Sequence, residues 1–276
     1  MFDRQKKTAL VTGASSGIGK AIARQLLADG FQVYVAARQI DKMQDLAQLG
    51  ARTLRMDISR DEDIQEAVRT ISSEVDAIDV LVNNAGFGLY GPVEEIGMDE
   101  ARYQFEVNVF GTARLTQLLL PAMRQKRAGT VVNITSMGGK VYTPLGAWYH
   151  ATKHALEGWS DCLRLELADF GIRVVVIEPG LIETGFGDAV ADGLLKRSGT
   201  GAYATLVQAV TKATRQSYGQ GGNTDPKVIA RVISKAVRSN RPETRYAAGK
   251  YAKAMICIRE WFGDRMFDRI VMSQVH

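Results

Sequence analysis

Short apolar runs rich in β-branched residues alternate along this chain with longer stretches of helical periodicity. Six runs have this character, at residues 8–12, 31–36, 52–56, 80–82, 130–134 and 173–177. Because the apolar residues in them are consecutive rather than alternating, the runs predict strands that are buried on both faces of a parallel sheet.

Helical stretches fill the intervals between these runs. They cover residues 17–27, 61–75, 99–127 and 147–170, and an amphipathic stretch at residues 228–237 follows the last run. Parallel strands joined through helices make right-handed crossovers. The pattern therefore predicts an α/β fold, a Rossmann-like doubly wound parallel sheet of about seven strands with helices on both faces. No linker divides the chain, so we expect a single domain over residues 1–276.

The composition argues against several other classes of protein. The net charge is +5, but the lysines and arginines are interspersed with acids, so we expect no nucleic-acid partner. Cys162 and Cys257 have no metal-ligand spacing, which predicts reduced thiols, no metal site and a cytoplasmic location. No run has the signal-peptide character or the roughly 20 apolar residues that a membrane span requires.

A glycine-rich turn joins the first predicted strand to a helix. Residues 12–19 read Thr-Gly-Ala-Ser-Ser-Gly-Ile-Gly. Glycines permit a tight turn and let backbone N–H groups approach a pyrophosphate at a helix N-terminus, where the helix dipole favours anions. The turn predicts a dinucleotide site, and a plain strand-to-helix turn is the alternative.

The end of the second predicted strand bears on the choice between NAD and NADP. NAD-binding folds carry an acidic residue there, about 20 residues beyond the glycines, which binds the ribose 2′-hydroxyl. This strand ends instead in Ala36-Ala37-Arg38. The planar fork of Arg38 can pair with a 2′-phosphate. We therefore expect NADP(H) in preference to NAD, with a solvent-facing arginine as the alternative.

Tyr149 and Lys153 lie four residues apart in a stretch with helical periodicity. Residues at this spacing share one face of a helix, so the phenol and the ammonium are expected to project into one pocket. A nearby cation favours the phenolate, so Lys153 is expected to lower the pKa of Tyr149 from its ordinary value near 10. The neighbouring His150 and His154 point away from this face, which predicts structural or surface roles for them.

Further motifs follow one another in a fixed order. They are Asn-Asn-Ala-Gly at residues 83–86, Asn108, Ser136, the Tyr149/Lys153 pair, and Pro-Gly with a following threonine at residues 179–184. Together with the glycine turn, this order resembles the short-chain dehydrogenase/reductase family over about residues 8–240. The phrases at residues 83–92 and 149–158 look like its 17β-hydroxysteroid and retinol dehydrogenase branch, although fold alone does not fix a substrate.

The resemblance implies an oxidoreductase that transfers hydride between a nicotinamide and a carbonyl or secondary alcohol. Its catalytic residues would be Asn108, Ser136, Tyr149 and Lys153, with Ser136 and Tyr149 also binding the substrate oxygen and Asn108 supporting a proton-relay water. The residues that it assigns to the cofactor are Gly13, Ser15, Ser16, Gly17, Ile18, Gly19, Arg38, Asp57, Ile58, Asn84, Ala85, Gly86, Tyr149, Lys153, Pro179, Gly180, Ile182 and Thr184.

Some of these assignments have alternatives. Asp57 can equally be a loop acid that caps a turn, and a mid-helix asparagine such as Asn108 usually faces solvent, although its flanking valines predict burial. An NADP-binding regulatory protein without turnover would use the same glycines but usually lacks the Ser-Tyr-Lys set. A sugar epimerase shares Tyr-x3-Lys but typically carries a different glycine turn.

The segments expected around the substrate are the loop at 137–146 and a lid at about residues 181–222. Their apolar residues predict a small lipophilic substrate; they are Met137, Val141, Tyr142, Leu145, Trp148 and Phe186. The lid ends in a glycine-rich stretch from Tyr218 that we expect to be mobile. The C-terminal extension at 249–276 is expected to pack on a subunit or the pocket, with peripheral membrane contact as the alternative. The two longest helices predict a homodimer or homotetramer.

Overall fold

Seven parallel strands form one sheet in the computed structural model, which describes residues 6–219 and 223–275. The strands are β1 (Thr8–Thr12), β2 (Gln32–Ala37), β3 (Arg52–Arg55), β4 (Val80–Asn83), β5 (Gly129–Ile134), β6 (Ile172–Pro179) and β7 (Arg245–Ala248). Their order is β3-β2-β1-β4-β5-β6-β7, and every neighbouring pair is parallel. The predicted doubly wound α/β fold is confirmed.

Ten α-helices surround the sheet in the described part of the chain. They are α1 (Gly17–Ala28), α2 (Gln44–Gln48), α3 (Asp61–Glu74), α4 (Met98–Phe105), α5 (Gly111–Lys126), α6 (Ala147–Leu167), α7 (Phe186–Ser198), α8 (Ala204–Gly219), α9 (Pro226–Arg238) and α10 (Ala252–Met272). Within the same residues, no helix is long and apolar enough to cross a membrane.

Side chains alternate along each strand between two buried layers, which explains the consecutive apolar runs. In β1, Val11 packs with α1 and α9 on one face, whereas Leu10 packs with α3, α5 and α6 on the other. Six strands begin and end within two residues of their predicted bounds. β7 was not located from the sequence, because its four residues are only half buried and form no apolar run.

The stretch predicted as one helix at residues 99–127 is divided in the structure. A π-helical turn, Glu106–Phe110, separates α4 from α5. Such a turn inserts an extra residue and is frequent at functional sites, and here it contains the buried Asn108. The other long stretch, at 147–170, ends as α-helix at Leu167 and continues as a 3-10 turn.

Two segments outside this frame cover the carboxyl ends of the strands. The predicted lid forms α7 and α8, which pack on each other, and residues 220–222 of its glycine-rich end lie outside the described residues. Helix α10 lies over the loop at 137–142, with Phe267 buried against Val141 and Tyr142. The two segments therefore enclose the edge of the sheet at which ligands of such folds bind.

Helix α5 begins where its backbone touches the loop after β3. A Cβ at Gly111 would overlap the carbonyl oxygen of Ile58. We therefore expect Gly111→Ala to lower the free energy of unfolding by about 1–3 kcal/mol, the usual range for an overpacked position. Urea unfolding followed by circular dichroism measures this change.

Gly193→Ala is the matched control, because Gly193 is also helical and a Cβ there meets no atom within 4 Å. Its alanine variant should keep or raise the stability, since alanine favours helix by about 1 kcal/mol over glycine. Equal stability changes in the two variants would show that the contact with Ile58 does not require glycine.

Candidate active site

The candidate site lies at the carboxyl edge of the sheet, next to the point where the strand order reverses between β1 and β4. The hydroxyl of Thr12, the last residue of β1, accepts the backbone N–H groups of Asn84 and Ala85, each at 3.0 Å. The Asn84 side-chain amide donates in return to the Thr12 carbonyl at 2.9 Å. These bonds join the glycine turn after β1 to the segment after β4.

The glycine turn has the conformation that the sequence analysis required. Gly13 and Gly17 have φ values of +65° and +52°, a region that favours glycine. A Cβ at Gly19 would overlap the Gly13 carbonyl oxygen, so the turn is tightly closed. Ser16, the N-cap of α1, makes no side-chain capping bond, and no acid lies in the first turn. The helix N-terminus therefore fits an anionic group.

Arg38 and Asp57 stand at the ends of β2 and β3. Arg38 is exposed, and its guanidinium lies 3.4 Å from the Tyr103 hydroxyl. The Asp57 carboxylate accepts the N–H and the hydroxyl of Ser59 at 3.0 and 2.7 Å, which is the turn-capping arrangement named as the alternative. The adjoining Ile58 is buried against α3 and α5.

The segment after β6 closes the other side of the glycine turn. A Cβ at Gly17 would lie 3.1 Å from the Thr184 side chain, so these two predicted cofactor residues are neighbours. Ile182 is buried and forms a β-bridge with Thr224. The N–H of Gly180 donates to the Ala248 carbonyl at 2.9 Å. β7 therefore anchors the strand end that leads to Thr184.

Ser136, Tyr149 and Lys153 converge at the end of β5, although they come from a loop and a helix. The Ser136 hydroxyl accepts the N–H of Gly138 at 3.0 Å and hydrogen-bonds Tyr149. The Lys153 ammonium donates to the carbonyl of Ile134 at 3.0 Å and lies 6.0 Å from the centre of the Tyr149 ring. The arrangement brings a phenol, a hydroxyl and an ammonium into one buried site.

Burial determines the charge state of these groups. It raises the pKa of Tyr149, and the hydrogen bond from Ser136 opposes that rise. It also lowers the pKa of Lys153 to about 8, against the attraction of Glu157. The expected lowering of the Tyr149 pKa by Lys153 is therefore wrong for this structure, because desolvation of the phenol outweighs every opposing effect.

Asn108 is buried in the π-helical turn, as its flanking valines predicted. Its side-chain amide donates to the Phe87 carbonyl and the Thr152 hydroxyl, both at 3.0 Å, and its oxygen accepts the Phe87 N–H at 3.0 Å. A Cβ at Gly86 would lie 3.0 Å from that oxygen and 3.8 Å from the Lys153 nitrogen. Asn108 and Lys153 therefore meet at Gly86.

Sequence reasoning missed a second set of buried polar groups beneath the site. The Asn83 amide donates to the Thr116 hydroxyl at 3.1 Å and to the Asn133 side chain at 2.9 Å. Asn133 donates in turn to the Ser160 hydroxyl at 2.8 Å. The only sequence signal was a pair of asparagines at the ends of two apolar runs, which does not reveal their pairing.

Aromatic side chains surround Tyr149 on its open side. The rings of Tyr90 and Phe186 have their centres 5.6 and 5.5 Å from that of Tyr149, and Tyr218 lies 6.4 Å beyond Phe186. A Cβ at Gly88 would come 2.7 Å from the Phe186 ring, so this ring is closely seated. Phe186 was expected here, whereas Tyr90 and Tyr218 were not assigned to the lining.

Several other residues of the predicted apolar lining serve a different purpose. Met137, Val141 and Tyr142 pack beneath α10. Trp148 packs against a cluster formed by residues after β4 and in α4. They stabilise the loop and helices around the site. The sequence alone does not distinguish apolar residues that pack in this way from those that line a pocket.

Comparisons with known proteins agree with this geometry. A family model described as short chain dehydrogenase matches residues 7–194. The chain is 32% identical to a 3-ketodihydrosphingosine reductase of Bacteroides thetaiotaomicron over 263 residues, which cover 95% of this chain and 95% of the relative.

Solved structures give the same result. A short-chain dehydrogenase from Streptomyces avermitilis superimposes with a TM-score of 0.80 at 35% identity, covering 94% of this chain and 97% of that one. A serine dehydrogenase complexed with NADP+ superimposes with a TM-score of 0.77 at 25% identity, covering 88% and 94%. The second of these was solved with a dinucleotide bound.

Proposed function

The chain belongs to the short-chain dehydrogenase family, and on that premise we propose that it is an NADP(H)-dependent oxidoreductase that reduces a carbonyl group of a small lipophilic substrate. The observation that carries the proposal is the meeting of Ser136, Tyr149 and Lys153 in one buried site beside the glycine turn. A hydroxyl, a phenol and an ammonium at this place can bind an oxygen atom and move a proton to it.

The residues at the carboxyl edge fit a dinucleotide. The turn at Gly13 and Gly17 exposes the N-terminus of α1 without a capping side chain, which suits a pyrophosphate. Thr184 borders the turn, and Gly86 lets the chain pass beside Lys153. When bound, the nicotinamide supplies the hydride. The cofactor contacts proposed for this chain are those assigned in the sequence analysis. Asp57 is proposed to support the cofactor by holding the turn that its carboxylate makes with Ser59.

Tyr149 is proposed as the proton donor. Since burial raises the pKa of this phenol, it stays protonated at neutral pH and can donate to the substrate oxygen as the carbonyl carbon is reduced. Ser136 accepts the Gly138 N–H, which leaves its own hydrogen free to bond the same oxygen. Lys153 restores the proton to Tyr149, and Asn108 supports the relay to Lys153.

The substrate class follows from the aromatic surroundings of Tyr149. Tyr90, Phe186 and Tyr218 offer flat apolar faces, and burial raises the pKa of both tyrosines, so they stay neutral. Such a lining favours a lipophilic carbonyl compound over a charged one. The relative from Bacteroides thetaiotaomicron, whose name gives a keto compound as its substrate, supports this choice.

The lid and helix α10 are proposed to control the access of substrate to this site. Residues 181–222 would serve as the lid, because Phe186 at the start of α7 packs directly on Tyr149. Helix α10 would cover the opposite side, where Tyr142 donates to Asp268 at 2.9 Å. A cytoplasmic location is proposed from the two free, exposed cysteines Cys162 and Cys257, which suit a reducing compartment.

The cofactor preference predicts the effect of Arg38→Ala. A charge-assisted bond to a 2′-phosphate contributes about 1.5–3 kcal/mol, so the variant should raise the KM for NADPH at least about tenfold and leave that for NADH little changed. Arg69→Ala is the control, because Arg69 is exposed on α3 and pairs only with Glu66 within the described residues. Equal kinetics of the unmutated protein with NADPH and NADH would contradict the preference.

The catalytic assignment predicts the effect of Tyr149→Phe. A screen of NADPH consumption across ketones, aldehydes and quinones first identifies a substrate. Tyr149→Phe keeps the ring but removes the proton, so kcat should fall by about 10²–10⁴ while NADPH binding stays nearly intact. Tyr142→Phe is the matched control, since the Tyr142 hydroxyl bonds Asp268 on α10 instead of the site.

If Tyr149→Phe keeps more than about a tenth of the kcat, Tyr149 is not the acid. If the unmutated protein binds NADPH and turns over no carbonyl compound in the screen, the protein is a binder rather than an enzyme of this class.

A homodimer or homotetramer is proposed from exposed apolar side chains at the end of the π-helical turn and on α6. Phe110 is 56% exposed and Leu165 is 68% exposed. In a symmetric oligomer both copies use the same surface, so an interface formed by these helices would bury both side chains on each copy. We expect light scattering at micromolar protein to give at least twice the chain mass and Phe110→Glu to reduce it. Val93→Glu should not, because Val93, which is 61% exposed, lies in a 3-10 turn outside these helices. A monomeric mass for the unmutated protein would refute the proposal.

A further inference from the structure

The loop at residues 137–146 joins β5 to α6 and determines where the Ser136 hydroxyl lies. The Gly138 N–H donates to that hydroxyl at 3.0 Å. A shift of Gly138 would therefore move the hydroxyl relative to Tyr149, which is held separately on α6. The reaction proposed above requires both groups to reach one oxygen atom, so the position of this loop matters for the chemistry.

The imidazole of His150 bonds the loop at two places. Its Nδ1 lies 2.9 Å from the Gly138 carbonyl, which can only accept, so Nδ1 carries the hydrogen. Its Nε2 lies 3.1 Å from the backbone nitrogen of Thr143, which can only donate, so Nε2 is the acceptor. The two bonds require the neutral ring with its hydrogen on Nδ1.

The loop is also packed closely around this ring. A Cβ at Gly138 would lie 2.9 Å from Nδ1, and a Cβ at Gly146 would lie 2.7 Å from the ring carbon Cδ2. The ring of Tyr90, which packs on Tyr149, meets the imidazole edge-on with a centre-to-centre distance of 6.1 Å. The loop and the aromatic lining therefore share one support.

The surroundings of His150 keep it neutral. Burial lowers its pKa to about 4, with the nearby His154 acting in the same direction and the Gly138 and Val141 carbonyls opposing it. The other ionisable groups against the ring, Tyr90 and Tyr149, both have raised pKa values and are uncharged near neutral pH. Nε2 thus remains an acceptor for Thr143 under working conditions.

We propose that His150 is a positioning residue, which holds Gly138, and through it the Ser136 hydroxyl, in line with Tyr149. This proposal rests on the proposed function for its effect on turnover. It assigns to the imidazole a role that is distinct from acid–base catalysis, since the ring gives both of its nitrogen atoms to the loop.

Two polar variants separate the two bonds. An asparagine amide reaches the place of Nδ1 and can donate to Gly138, whereas a glutamine amide reaches the place of Nε2 and serves Thr143. We expect His150→Gln to lower kcat at least tenfold and His150→Asn to keep at least five times more kcat than His150→Gln. The Kd for NADPH should change less than twofold in both. His154→Asn is the control, because His154 is exposed and bonds only the His150 carbonyl of its own helix in the described structure.

A double-mutant cycle tests whether the effect passes through Ser136. In the Ser136→Ala background, His150→Gln should lower kcat less than threefold, because the hydroxyl that it displaces is already gone. An equal factor in both backgrounds, or a glutamine variant as active as the asparagine variant, would overturn the proposal.

Nitrogen-15 NMR of the imidazole gives a test that does not depend on turnover. We expect a neutral ring with its hydrogen on Nδ1 between about pH 6 and pH 8. A hydrogen on Nε2, or a protonated ring, would overturn the proposed bonds even if the NADPH screen found no substrate. Absence of turnover combined with the expected tautomer would instead count against the proposed function alone.

Discussion

The hydrogen bonds between the carboxyl ends of β1 and β4 are the constraint on which the site depends. Thr12 accepts two backbone N–H groups from the segment that begins at Asn84 and receives a third bond from the Asn84 side chain. The strand order reverses at this point, so the two crossovers leave in opposite directions and a crevice opens between them. Because Gly13 and Gly86 flank these bonds, the glycine turn and the segment beside Lys153 are fixed relative to each other.

Burial of polar groups is the second feature that shapes the site. An ammonium or amide removed from water lowers stability unless it finds partners, and here Lys153 bonds the Ile134 carbonyl while Asn108 bonds Phe87 and Thr152. The same burial raises the pKa of Tyr149 and lowers that of Lys153. The packing that orders these side chains therefore also keeps the Tyr149 phenol protonated near neutral pH and brings the pKa of Lys153 to about 8.

The surroundings of Tyr149 differ on its two sides. On one side, the loop at 137–146 is occupied by the His150 ring and covered by α10, so its apolar residues contribute to stability. On the other side, Phe186 and Tyr218 from the lid lie over the phenol and Gly88. Selection of a substrate is therefore expected to depend on the lid, whereas the position of the Ser136 hydroxyl relative to Tyr149 is expected to depend on the loop.

The sequence by itself determined the doubly wound sheet and the glycine turn, because local periodicity and spacing indicate both. The four candidate catalytic residues came from the resemblance of its ordered motifs to a known family. It did not reveal β7, the π-helical turn at Asn108, or the pairing of Asn83 with Asn133. Those features arise where segments far apart in the chain meet. The direction of the Tyr149 pKa shift was likewise decided only by the tertiary structure, since desolvation depends on rings that the lid brings to it.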